Sequence, residues 1–253
     1  MGRTSESENI VAIIQARMGS SRLPGKVLAE IQGRAMIAWV IERARMSKLL
    51  DSVVLATTVD EADDAVAELC EAHGYPCVRG RAADVLYRYV QAAEMYHADI
   101  VVRLTGDCPL IDPGVIDTTI QAFLDSNPPA VYASNRIVRT FPIGLDVEVV
   151  DFDALQMANR EAKEPYHREH VTPYFYEDPQ RFPIVSVMAD GDYGGYRWTV
   201  DTKEDLRFVR EIFSRLKDVN DFTWKDVLEI LEEEPELMKI NSNVRQRTYR
   251  EVE

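Results

Sequence analysis

The sequence predicts an α/β fold built on a mostly parallel sheet. Three observations predict it: strand and helix patterns alternate from Asn9 to Ser126, the strands are nearly unbroken apolar runs, and the first ends in a glycine-bearing basic loop. Continuous apolar strands belong to sheets covered on both faces. Asn9 to Ala16 (NIVAIIQA) is the first of them. Ala35 to Met46 then repeats apolar residues at helical spacing, and Ser52 to Thr57 reads as a second strand. Asp60 is placed to cap a helix that reaches His73 and is stopped by Gly74. Tyr75 to Arg79, Ala83 to Tyr96, Asp99 to Thr105 and Pro113 to Ser126 continue the alternation, the signature of right-handed crossovers. After Pro128-Pro129 the rhythm changes. A short strand over Ala130 to Ala133 and the alternating Leu145 to Val150 (LDVEVV) predict a small antiparallel excursion, with LDVEVV half-exposed or at an edge. Helices are expected over Phe152 to Ala162, Arg168 to Phe175, Lys203 to Leu216 and Trp224 to Glu233, and strands near Ile184 to Met188 and Tyr196 to Val200.

With 253 residues, 46% hydrophobic and 28% charged, the chain can bury one substantial core. The expected organisation is a flexible leader over 1–8, a single domain over 9–240 and a polar tail over 241–253. No apolar run is long enough to span a bilayer and the first nine residues are polar, so a cytoplasmic protein with no membrane partner is expected. Myristoylation at Met1-Gly2 is rejected, because Glu6 stands where Ser or Thr is needed. Cys70, Cys77 and Cys108 are odd in number and spaced 7 and 31 apart, which gives neither a disulfide framework nor a metal pair. A formal charge of −14 argues against nucleic acid as a partner. Locally the balance reverses: seven basic residues stand against two acidic ones between Gln15 and Lys48. An anion is expected there.

The loop Ala16 to Leu28 (ARMGSSRLPGKVL) follows the first strand, where open α/β sheets bind ligands. Small residues there permit close backbone approach, and Arg17, Arg22 and Lys26 suit phosphate oxygens. It is not a P-loop, since Gly19 and Gly25 have five residues between them and Val27 replaces the metal-binding Ser or Thr. A GxGxxG dinucleotide fingerprint is absent too. In Arg103 to Asp112 (RLTGDCPLID), Gly106 permits close approach and Asp107 offers a hard carboxylate beside a bound polyphosphate. Asp201, in Trp198 to Leu206 (WTVDTKEDL), ends a predicted strand, and from spacing alone it reads as a helix cap rather than a metal ligand, although two carboxylates ending strands of one sheet can converge on a single ion. His167 and His170 lack further ligands at zinc spacing and read as helix-surface or core histidines. Asn135, Arg136, Arg139, Gly144 and Asp146 make a donor-rich stretch that fits either an anionic or polyhydroxy acceptor or a plain turn into the next strand.

Taken in order, QARMGSSRLPGKVL, RLTGDCPLID and RWTVDTKEDL resemble the cytidylyltransferase family that includes the CMP-Kdo and CMP-acylneuraminate synthetases. RGRAADVLYRY, SNRIVRTFPIGLDVEV and REHVTPY are most similar to the branch of spore coat polysaccharide biosynthesis protein F. The resemblance implies a Rossmann-like, three-layer α/β/α nucleotide-diphosphosugar transferase fold and a Mg2+-dependent transfer of CMP from CTP to an acidic sugar or related acceptor. It implies that Ala16, Arg17, Met18, Gly19, Ser20, Ser21, Arg22 and Lys26 hold the triphosphate and that Asp107 and Asp201 bind Mg2+. Gly80, Asp84, Arg103 and Gly106 would contact the nucleotide, and Asn135, Arg136, Gly144 and Asp146 the acceptor. Arg22, Lys26, Asp107 and Asp201 would form the catalytic set, in a homodimer. The sequence departs from the ulosonate enzymes at Arg81-Ala82-Ala83-Asp84, where they carry a Gly-Thr-Asp type run, and at Arg103, where they tend to have Gln. Three alternatives stay open: another base, a glycosyltransferase of like architecture, and a silent nucleotide-binding scaffold. Asp107-Cys108-Pro109 lacks the Asp-x-Asp motif usual for such glycosyltransferases.

Overall fold

The computed structural model describes residues 8–246, so most of the expected leader and the end of the expected tail lie outside the described residues. A seven-stranded sheet organises the chain, in the order β5-β4-β1-β6-β8-β7-β9. Its strands are β1 (Ile10–Gln15), β4 (Ser52–Thr58), β5 (Cys77–Gly80), β6 (Ile100–Thr105), β7 (Tyr132–Ser134), β8 (Glu148–Asp151) and β9 (Ile184–Ser186). A separate two-stranded hairpin, β2 (Glu30–Ile31) and β3 (Arg34–Ala35), was not legible in sequence because each strand has only two residues. All neighbours in the large sheet are parallel except β8, which runs against both β6 and β7. This is a Rossmann-like sheet with one antiparallel excursion.

The nine helices among the described residues are α1 (Met36–Ala44), α2 (Asp64–His73), α3 (Val85–Met95), α4 (Pro113–Leu124), α5 (Phe152–Glu161), α6 (Pro165–His170), α7 (Pro173–Tyr176), α8 (Lys203–Phe213) and α9 (Trp224–Glu233). The pleat of β1 explains why its run is apolar throughout. Ile10, Ala12 and Ile14 enter one core with Trp39, Phe123, Trp198 and Phe208, while Val11 and Ile13 enter a second core with Tyr89, Tyr132 and Phe175. The central strand therefore has no solvent face on which a polar residue could stand.

Several expectations are corrected. LDVEVV is neither half-exposed nor at an edge: β8 lies between β6 and β7, and its polar Glu148 is buried against arginines. Tyr196 to Val200 forms no strand, only a single bridge between Ile143 and Arg197. The helix expected over Arg168 to Phe175 is broken into α6 and α7, with Val171 at φ 68° and Pro173 opening the second piece. Asp60 makes no side-chain cap. A 3-10 turn over Glu61–Asp63 intervenes, and α2 starts at Asp64. Arg168 reaches Asp84, next to α3.

Candidate active site

The carboxyl ends of β1 and β6 open into a cleft of about 300 Å³. Ala16, Arg17, Gly19, Ser20, Arg22 and Lys26 line it from the first loop, and Arg103, Gly106 and Asp107 from β6 and its loop. Arg136, Gly144 and Asp146 line it from the segment between β7 and β8, and Asp201 from the approach to α8. Met18, Ser21, Gly80, Asp84 and Asn135 are not among its lining residues.

The first loop is shaped by bonds from outside it. The Met18 amide donates to Asp63 Oδ1 at 2.6 Å, and the hydroxyl of Thr58, at the end of β4, donates to the other oxygen of Asp63. Within the loop the Gly25 amide donates to Met18 O at 2.9 Å. These bonds set Lys26 at the start of a 3-10 turn, with its ammonium directed inward. Lys26 Nζ donates to Asp107 Oδ2 at 3.0 Å, Asp201 Oδ1 at 2.9 Å and Val200 O at 2.8 Å. Arg22 reaches Asp201 Oδ2 at 2.9 Å. Burial opposes the Lys26 charge, but Asp107 and Asp201 outweigh it and hold the ammonium above the usual lysine pKa. Burial likewise opposes the Asp201 charge, yet Lys26, Arg197 and Arg22 bring its carboxyl down to about 2.

Two carboxylates separated by 94 residues in sequence thus share one ammonium. The two segments are tied by the Val200 amide donating to Asp107 O at 2.9 Å, and Thr105 Oγ1 donates to Asp107 Oδ1 at 2.6 Å. Asp201 is free for this role because Thr202, not Asp201, caps α8, through a reciprocal capping box with Asp205. Gly106 is required by the same convergence, since a Cβ there would lie 2.9 Å from Ala16 Cβ and 3.0 Å from Gln15 O.

A second cluster of charges lies on the same cleft. Arg103 donates to Glu148 and, at 3.1 Å, to Gln15 Oε1. Glu148 also accepts from Tyr132 Oη at 2.6 Å and Thr172 Oγ1 at 2.5 Å, and Arg136 stands 3.5 Å away. Burial would raise the Glu148 pKa, but Arg103 and Arg136 overcome it and hold the carboxyl at about 2. Arg139 pairs with Asp146. Asn135 is wholly buried and brackets its own loop, donating to Leu145 O at 2.7 Å and accepting from the Val147 amide at 2.9 Å. Asp84 caps α3 through the Tyr87 amide and pairs with Arg168. His170 lines the cleft, whereas His167 pairs with Glu177 at 3.0 Å.

Sequence reasoning missed Asp63, Arg88, Glu148 and Arg197. Glu148 left a signal, as a charge flanked by valines on both sides in LDVEVV. Asp63 sits in a run of acids and Arg88 on an ordinary amphipathic helix, so neither stood out. The chemistry available is displacement between bound groups. Cys108 lines the cleft, and burial pushes its thiol well above the usual value. Arg22 and Lys26 thus meet two hard carboxylates in a cleft at the carboxyl ends of a mostly parallel sheet.

That combination defines a nucleotidyltransferase. The chain belongs to the cytidylyltransferase family, whose model matches residues 11–244. It is 40% identical to an uncharacterised protein of Methanocaldococcus jannaschii, over 96% of this chain and 99% of that one. It is 33% identical to the spore coat polysaccharide biosynthesis protein SpsF of Bacillus subtilis, over 90% of this chain and 96% of the relative. Among solved structures it resembles a cytidylyltransferase from Leptospira borgpetersenii, with a TM-score of 0.88 and 33% identity over 95% of this chain and all of that one. Among the described residues no helix is long and apolar enough to cross a membrane.

Proposed function

We propose that this protein transfers CMP from CTP to an acidic or polyhydroxy sugar-type acceptor and releases pyrophosphate. The observation that carries this reading is Lys26 Nζ lying 3.0 Å from Asp107 and 2.9 Å from Asp201 at the edge of a cation-lined cleft. An acceptor oxygen attacks the α-phosphorus in line, the bond from that phosphorus to the oxygen bridging to the β-phosphorus breaks, pyrophosphate departs with that oxygen, and the acceptor's proton passes to solvent water, with no covalent enzyme intermediate. Arg17, Arg22 and Lys26 bind the triphosphate oxygens, and Lys26 and Arg22 stabilise the charge that collects on the leaving pyrophosphate. Arg136, 3.5 Å from Glu148 on the same cleft, would orient an anionic or hydroxyl-bearing acceptor.

The donor set fits a magnesium ion: two hard carboxylates already converge on one cation, and Mg2+ commonly takes one or two carboxylates plus phosphate oxygens. Asp107 and Asp201 would hold it, and the chemistry supplied there is polarisation of the phosphoryl oxygens. The name of the Bacillus subtilis relative supports a place in surface polysaccharide synthesis. The test is pyrophosphate release from CTP, UTP, GTP and ATP against a panel of sugar acids and polyols, with Mg2+ or with chelator. CTP-selective, Mg2+-dependent release is expected. Release that ignores the base would sink the cytidine assignment, and silence with every acceptor that leaves no nucleotide bound would sink the whole reading.

A further inference from the structure

Behind the cleft, Arg197 ties Asp201 to the interior. Its side chain is only 9% exposed, and all three guanidinium nitrogens donate. Nε and Nη2 fork onto Asp205 at 2.9 and 3.0 Å, Nη2 also reaches Asp201 Oδ2 at 2.8 Å, and Nη1 donates to Gln246. Asp205 is fully buried and is held in turn by the Asp201 and Thr202 amides and by Asn241 Nδ2, each at 3.0 Å. Asn241 also donates to Arg197 O at 3.0 Å. A segment more than 40 residues downstream of Arg197 thus closes on it from two sides.

The division of labour on Asp201 is specific. Oδ2 takes the two arginines, Arg22 and Arg197, and Oδ1 is turned toward Lys26, the atom that also holds Asp107. Arg22 lines the cleft and is available to a ligand, whereas Arg197 is anchored through Asp205 to the cap of α8. A carboxylate gripped from behind keeps one rotation, and outer partners of this kind commonly set metal affinity by ten- to a hundred-fold. We infer that Arg197, locked by Asn241 and Gln246, is a positioning residue that aims Asp201 Oδ1 at a divalent cation, so that the chain's C-terminal segment is part of the metal site. This rests on the metal reading proposed above.

The experiment compares the CTP dissociation constant in chelator with that at saturating Mg2+, by calorimetry and without acceptor. The ratio measures the coupling between metal and nucleotide. In Arg197→Lys, which keeps the charge and loses the fork, the ratio should fall by about 10- to 100-fold while the metal-free constant stays near wild type. Asn241→Ala, outside the cleft lining, leaves both carboxylates paired with Arg197 and should lower the ratio less, in the same direction; it decides the matter if Arg197→Lys does not fold. An unchanged ratio in the folded variants, with only a lowered melting temperature, would make Arg197 a structural brace and overturn the inference. A wild-type ratio of one would instead remove the metal reading, and this inference with it.

Discussion

Asp107 and Asp201 are each reached by the Lys26 ammonium, so removing either charge changes the site without emptying a core. Asp107→Asn and Asp201→Asn should each lower pyrophosphate release by at least about 100-fold while the circular dichroism spectrum stays unchanged. Retained activity in both would cancel their assignment. Glu148 makes a different demand. Its folded-state pKa of about 2 lies below the ordinary 4.5, so the stability it adds is complete above that value and is lost as pH falls from 4.5 toward 2. The shift corresponds to about 3 kcal/mol. Glu148→Gln leaves Arg103 and Arg136 without their shared carboxylate and should cost about 3–5 kcal/mol at neutral pH. Urea unfolding at pH 7 and pH 3 checks the sign, for the variant's deficit should shrink in acid. A deficit independent of pH would reject the ionic account.

At the scale of elements, the stretch after α4 is where pattern and structure part. Alternation in LDVEVV is that of a strand with one wet face, but the position that looked wet is filled by a glutamate neutralised from β6 and from the loop after β7. A buried ion pair and a solvated face leave the same polar letter in a sequence. Gly144 shows how tightly the neighbouring segments meet: its φ is 112°, and an added Cβ would stand 2.6 Å from Thr199 N and 2.7 Å from Trp198 C. Both obstacles are backbone and cannot rotate away. Gly144→Ala should therefore destabilise by about 1–3 kcal/mol and weaken nucleotide binding through the Ile143–Arg197 bridge, as read by urea midpoint and calorimetry. A variant as stable as wild type would show that the segment yields.

For the molecule as a whole, the cleft gathers side chains from the first loop, β6, the approach to β8 and the approach to α8, so a nucleotide bound as proposed would clamp segments spread over most of the chain. Mg2+ with CTP at about 100 times its dissociation constant should add about 2.7 kcal/mol to global stability and raise the melting temperature in one transition. UTP, GTP and ATP should raise it less. No shift with any nucleotide would contradict the phosphate loop itself, despite its local excess of basic residues in a chain of net charge −14.

The sequence by itself determined the layered parallel sheet, because apolar runs and helical periodicity are local signals read within ten or so residues, and it singled out the basic loop after β1 by its composition. As residues that line the cleft, Arg17, Arg22 and Lys26 were legible for that reason, and Asp107 and Asp201 only through the family resemblance of the motifs around them. Only the tertiary structure decided that Asp107 and Asp201 meet on one ammonium, that Glu148 is a buried counter-ion, that Asn135 serves its own loop, and that Asn241 and Gln246 reach the site. Each of those facts joins residues brought together by strand order and loop packing, and partners chosen across that distance leave no mark in the spacing of letters along the chain.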